Sequence, residues 1–270
     1  MKNKLIISDI DGTLINEDFI VPEINIEYIK KFQLLNGSFS VASGRCLNSI
    51  RKNFKDISFN GPGILFNGCV VYDFDNDKVI NFESVDEIDG EKLINFVLTN
   101  EKYKTTGVLI FTIESTYSRR DNIILDKLIE VEGGGFHENE EYEIKSPWLK
   151  ILFADIKPKL AELYEDIKKN FSLDKFDISF SHEYFMELLP KNINKGTAIE
   201  FLKSNSDFNN YKIYAVGDYY NDIEMLKKAD VAICPENAPD DIKELASEVL
   251  CSNNDGVVAE LIKKIISGEL

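Results

Sequence analysis

Leu5-Ile6-Ile7-Ser8-Asp9-Ile10-Asp11-Gly12-Thr13 is an apolar run that ends in two acids and a turn signal. Its first residues suit a buried strand of a parallel sheet, which is apolar on both faces. Alternation along an extended end puts Asp9 and Asp11 on the same side. The carboxyl edge of such a sheet is where ligands bind. Like charges this close need a cation, a shared proton or a strong donor beside them. Gly12 lets the backbone turn sharply and approach a ligand. Alone, Asp-Gly is also an ordinary turn dipeptide.

Outward from this stretch, strands alternate with helices. Pro22 opens a helical pattern that Gly37 ends, Ser38 to Ala42 reads as a second strand, and a helix carries Leu47, Ile50 and Phe54. Gly63 to Phe66 reads as a third strand, and Val70 to Asp75 with Lys78 to Phe82 as a hairpin. The alternation returns from Lys195, with strands at 212–217, 231–233 and 248–251 between helices. This pattern predicts one α/β domain, a doubly wound parallel sheet made of residues 1–83 and 190–270. Residues 84–189 read as an inserted α/β domain. Its clearest helices are Ile88 to Leu98 and Leu160 to Phe171, and its strands lie at 108–113, 149–154, 177–181 and 185–189. Gly133-Gly134-Gly135 and the acidic run Glu138 to Glu143 signal a solvated loop.

Three further strand ends and helix starts carry polar chemistry. Gly217-Asp218-Tyr219-Tyr220-Asn221-Asp222 follows an apolar strand, with Asp218 at its end and Asp222 across the first turn of the next helix. Hard oxygen ligands at strand ends suit Mg²⁺, although Asn221 or Asp222 could equally cap the helix. Ser43-Gly44-Arg45 offers a hydroxyl, a bare backbone and a helix N-terminus, the parts of an anion cradle. In Asn194-Lys195-Gly196 a lysine opposes the helix macrodipole, a cost most easily explained by anionic partners in a cleft.

Composition bounds the partners. The chain has 270 residues, 31 Lys plus Arg against 47 Asp plus Glu, and a net charge of −16. That field repels nucleic acid and anionic membrane, yet a metal ion can reverse the sign of one site and admit a small anion. The uncharged stretch from Ile57 to Tyr72 is broken by Gly and Pro, so no membrane span is expected. Cys46, Cys69, Cys234 and Cys251 lack CxxC spacing and read as reduced thiols of a cytoplasmic protein.

The segments at 9–13, 43–45, 194–196 and 217–222, in that order, resemble the motifs of the haloacid dehalogenase superfamily of phosphatases. The insertion, together with Asn67-Gly68, resembles the Cof-type subfamily, which carries an α/β cap on a Rossmann-like core. The resemblance implies a Mg²⁺-dependent phosphatase. Asp9 would be the nucleophile that forms an aspartyl-phosphate, and Asp11 the general acid and then base. Ser43 and Lys195 would hold phosphoryl oxygens, with Gly12, Gly44, Arg45 and Asn221 around the substrate. Asp9, Asp11 through its carbonyl, Asp218 and Asp222 would hold the metal. The substrate would be a small phosphate ester such as a sugar phosphate or a phosphorylated cofactor, bound by a monomer or dimer.

A cap implies that polar residues on its loops set specificity, with Arg119, Arg120, His137, His182 and Glu183 as candidates. Two alternatives use the same residues: a phosphotransferase or phosphomutase, in which a sugar hydroxyl replaces water, and a phosphate-ligand sensor without turnover.

Overall fold

The computed structural model describes residues 1–132, 135–138, 144 and 146–270. The chain runs β1 (Lys4–Ser8), α1 (Glu23–Leu34), β2 (Ser38–Val41), α2 (Leu47–Asn53), β3 (Pro62–Leu65), β4 (Val70–Asp73), β5 (Lys78–Phe82), α3 (Glu87–Thr99), β6 (Gly107–Phe111) and β7 (Ser115–Arg120). It continues through α4 (Ile123–Glu132), β8 (Gly135–Glu138), β9 (Lys150–Ala154), α5 (Lys157–Asn170), β10 (Phe176–His182), β11 (Phe185–Pro190) and α6 (Lys195–Ser204). The last elements are β12 (Lys212–Val216), α7 (Ile223–Lys228), β13 (Val231–Pro235), α8 (Asp240–Lys243), β14 (Glu248–Leu250) and α9 (Val257–Ser267). Two compact units result, one of residues 1–44, 54–81 and 194–270, the other of residues 45–53 and 82–193.

The first unit is the α/β layer that the alternation predicts. Its parallel sheet has the order β14-β13-β12-β1-β2. The strands are short and apolar on both faces because helices cover both sides. Leu5, Ile7, Ile213 and Ala215 share one core with Ile199 and Leu202 of α6. Each large aliphatic side chain so buried contributes roughly 2 kcal/mol. β1 lies between β2, which follows it in the chain, and β12, which comes much later. The winding therefore reverses at β1, and a ligand crevice forms at the carboxyl ends around such a point.

The third strand departs from expectation. β3 touches the parallel sheet only by a bridge between Ala42 and Ile64, and belongs to an antiparallel sheet of order β3-β4-β5. The tight turn at Asn67-Gly68, with both residues at positive φ, folds β4 directly back onto β3. That local pairing costs little loop entropy and takes precedence.

The second unit is a six-stranded sheet of order β10-β11-β9-β6-β7-β8, antiparallel except for the β7–β8 pair. One face packs on α3 and α5 through Leu93, Val97, Leu160 and Leu163 against Val108, Ile110, Ile151 and Phe153. β7 and α4 fall in a stretch that the sequence pattern leaves irregular. Ser-Thr-Tyr-Ser-Arg-Arg shows no apolar alternation, and Ile-Ile-Leu-Asp-Lys-Leu-Ile is apolar nearly throughout. The expected loop at Gly133 to Glu143 becomes a strand at Gly135–Glu138, and its remainder lies outside the described residues. Among the described residues, no helix is long and apolar enough to cross a membrane.

Candidate active site

Register brings the acidic strand ends together. Ser8 pairs with Val216, so Asp9 and Gly217 leave the sheet side by side, and Asp9 N–H donates to the Val216 carbonyl at 2.8 Å. Beyond Asp9 the chain turns sharply, with Gly12 at φ +84°. A Cβ at Gly12 would stand 2.3 Å from Asp218 Oδ2, so only glycine admits this approach. Thr13 Oγ1 donates to Asp218 Oδ1 at 2.6 Å and fixes that carboxylate.

Lys195 is fully buried and ties the cluster together. Its Nζ lies 2.5 Å from Asp9 Oδ1 and 2.6 Å from Asp222 Oδ1. The side chain of Asn194 caps α6 by accepting from the Gly196 and Thr197 amides, which fixes the helix start and with it the lysine. Asp222 Oδ2 accepts from the Asp218 and Tyr219 amides, both at 3.1 Å. Asp222 thus braces the lysine on one side and the turn that carries Asp218 on the other.

The remaining motifs lie around these. Ser43 is buried at the end of β2, and its N–H donates to the Ile64 carbonyl. A Cβ on Gly44 would stand 3.0 Å from Asn67 Nδ2, and one on Gly68, at φ +111°, 2.2 Å from the Asn194 carbonyl oxygen. The turn at 66–68 is therefore wedged between the serine loop and the lysine loop. Asn67 Oδ1 is buried without a hydrogen-bond donor among the described residues. Asn67, together with Thr13 as the brace of Asp218, belongs to the site but was not among its expected residues. The signals were the Asn-Gly dipeptide and a hydroxyl in the acidic stretch. Asn221 is exposed and makes none of the described contacts with the cluster. Asp11 is exposed, near enough to Asp218 for its charge to act on it. Arg45 groups with the second unit.

The electrostatics favour a divalent cation. One oxygen from each of Asp9, Asp218 and Asp222 falls within 4.8 Å of the others. Three carboxylates against one ammonium leave an excess of two negative charges. Burial pushes the Asp9 carboxyl well above its ordinary range; Lys195 opposes this, and the Asp222 and Asp218 charges add to it. Burial likewise pushes Asp218 up to about 6, with the Thr13 hydrogen bond pulling the other way. Burial works against the Lys195 charge, but the two carboxylates more than offset it and hold the ammonium above its ordinary value. A dication would supply the missing positive charge, and carboxylate oxygens are the donors that Mg²⁺ prefers.

In the second unit, two of the expected specificity residues are occupied. Arg119 forms a bidentate pair with Glu91, both contacts at 2.9 Å. Arg120 donates to the Leu98 and Tyr103 carbonyls at 2.6 and 2.7 Å. Glu183 is exposed, and the side chains of His137 and His182 lie outside the described residues.

A family model described as haloacid dehalogenase-like hydrolase matches residues 6–262. The 5-amino-6-(5-phospho-D-ribitylamino)uracil phosphatase YwtE of Bacillus subtilis is 25% identical over 292 residues, covering 98% of this chain and 99% of its own. A haloacid dehalogenase-like hydrolase from Bacteroides thetaiotaomicron has a similar structure, with a TM-score of 0.85 at 23% identity, over 98% of this chain and 100% of its own. A protein from Thermotoga maritima matches with a TM-score of 0.83 at 28% identity, over 98% and 97%.

Proposed function

The chain belongs to the haloacid dehalogenase-like hydrolase family, and from that premise we propose a Mg²⁺-dependent phosphatase of small phosphorylated metabolites, acting through an aspartyl-phosphate on Asp9. The observation that carries this is the gathering of Asp9, Asp218 and Asp222 around the buried Lys195.

Asp9 attacks phosphorus, and the bond to the leaving oxygen breaks. Asp11 protonates that oxygen and then takes a proton from the water that hydrolyses the aspartyl-phosphate. Lys195 and Ser43 hold phosphoryl oxygens, and the amides at Gly12 and Gly44 add donors to the cradle. Asp9, Asp218 and the Asp11 carbonyl would hold Mg²⁺. Asp222 supports that set indirectly, because Lys195 and two amides already occupy its oxygens. When bound, the metal neutralises charge on the phosphoryl group and keeps Asp9 ionised. Positioning and charge neutralisation do most of the work in phosphoryl transfer. Four free thiols support a cytoplasmic location.

The test is phosphate release from an aryl phosphate with Mg²⁺, followed by a panel of sugar phosphates and the compound named for the Bacillus relative. Turnover should vanish with EDTA and in Asp9→Asn. No turnover on any ester, or full activity in Asp9→Asn, would sink the reading. An isomerised sugar phosphate without free phosphate would show a mutase instead.

A further inference from the structure

The turn that follows Asp9 is held from outside by asparagines, all within the first unit. Its own backbone closes it through the Ile15 N–H, which donates to the Ile10 carbonyl at 3.0 Å. Asn237, in the loop after β13, donates Nδ2 to the Gly12 carbonyl at 2.8 Å. Asn25 of α1 donates Nδ2 to the Leu14 carbonyl at 3.3 Å. Asn253, after β14, donates Nδ2 to the Ile15 carbonyl at 2.9 Å. These holds are themselves tied down. Asn237 Oδ1 accepts from the Asn253 N–H, and Asn25 Oδ1 from the Ala259 N–H of α9, both at 2.9 Å. Asn25 and Asn253 are buried, whereas Asn237 is exposed.

Leu14 and Ile15 are buried, and buried carbonyls need donors, which accounts for Asn25 and Asn253. Asn237 is a different case. Gly12 is half-buried and Asn237 exposed, and water can serve a carbonyl at such a place. What the asparagine adds there is direction. Gly12 has to be glycine, since a Cβ would stand 2.3 Å from Asp218 Oδ2, and glycine has the least restricted backbone. Anchoring its carbonyl fixes the plane of the Gly12–Thr13 peptide. Thr13, on one side of Gly12, grips Asp218 through its hydroxyl; Asp11 stands on the other side. We infer that Asn237 is a positioning residue for Asp11: by holding the Gly12 carbonyl it sets where Asp11 stands relative to the Thr13–Asp218 pair. The inference rests on the phosphatase reading, in which Asp11 protonates the leaving oxygen, and it adds a residue that lies outside the four motifs.

The test compares 4-nitrophenyl phosphate with phenyl phosphate, in Mg²⁺, for the wild type, Asn237→Ala and Asn237→Asp. In this mechanism kcat/KM covers the steps up to transfer of the phosphoryl group to Asp9, before water attacks. 4-Nitrophenolate leaves without a proton, whereas the more basic phenolate needs one from Asp11. Asn237→Asp keeps an acceptor for the Asn253 N–H and loses the donor to Gly12. General acid catalysis contributes about 10²–10⁴-fold, and a misplaced acid forfeits part of it. In both variants the fall in kcat/KM for phenyl phosphate should therefore exceed that for the nitrophenyl ester about fivefold or more. A merely structural role lowers the folded fraction and with it both esters by one factor. Equal losses, or no loss on either ester, would overturn the inference, as would a wild type that cleaves only the nitrophenyl ester, since no acid then acts at position 11. If Asn237→Ala fails to fold, Asn237→Asp decides in the same way. A wild type that releases phosphate from neither ester would overturn the proposed function and this inference with it; wild-type turnover of both with equal losses in the variants overturns this inference alone.

Discussion

Lys195 and Lys150 are both buried and both paired with a carboxylate, but their surroundings differ. Lys195 bridges two aspartates, a third lies within 4.8 Å of both, and backbone amides hold Asp222 from behind. Lys150 pairs with Glu187 on the face of a mostly antiparallel sheet, and Glu187 Oε2 has no donor among the described residues. In the first case anions outnumber the cation and call for a metal. In the second, one lysine and one glutamate meet at 3.0 Å inside the inserted sheet, with no cluster of carboxylates around them among the described residues. A buried lysine beside a carboxylate is therefore not by itself a site; the gathering of further carboxylates around Lys195 is what distinguishes the first case.

The largest effect should come from Lys195→Met. It leaves Asp9 and Asp222 buried together without a cation, and breaking a buried pair from one side costs about 3–5 kcal/mol. Urea unfolding at neutral pH, without metal, measures this. A loss below about 1 kcal/mol would show that the cluster does not depend on the lysine for charge balance.

Metal binding comes next. Mg²⁺ bound only by the native cluster adds about 2.7 kcal/mol at a hundredfold excess over Kd, seen as a higher Tm. Asp218→Ala should remove most of that rise together with activity. General screening of an acidic surface would outlast the loss of one carboxylate. An Asp218→Ala protein that kept the full rise would therefore overturn the metal assignment.

A smaller effect is expected from pH in EDTA. Asp218 titrates at about 6 in the folded protein against an ordinary value of 3.8. Below pH 4 both states hold the proton. Between those values the folded state keeps it while the unfolded state has lost it. Stability therefore falls as pH rises toward about 6, by on the order of 2 kcal/mol, and Asp218→Ala should flatten the fall. A profile unchanged by that substitution would place the titration elsewhere.

The smallest effect sharpens the contrast. Replacing Lys150 and Glu187 together by Met and Leu should change stability by less than about 1 kcal/mol, because an apolar pair avoids the desolvation cost. A loss of several kcal/mol in urea unfolding would show that the pair holds the sheet together.

By itself the sequence determined the alternation of the first unit and the chemistry at its strand ends. Short apolar runs followed by Asp, Ser or Gly are local signals, because strand burial and turn geometry act over a few residues. Hence Asp9, Ser43, Lys195 and Asp218 were legible one motif at a time, and their order carried the family resemblance. Only the tertiary structure decided which charges meet. Register between β1 and β12 sets Asp9 beside Gly217, and the cap of α6 turns Lys195 between Asp9 and Asp222. It also left Asn221 exposed, gave Asp222 to the lysine, and occupied Arg119 and Arg120 with internal partners. Lys150 and Glu187 carry no sequence signal, because one charged residue in an apolar strand has no local meaning. What it does depends on residues that are distant in sequence, and Coulomb interactions and desolvation follow distance in space.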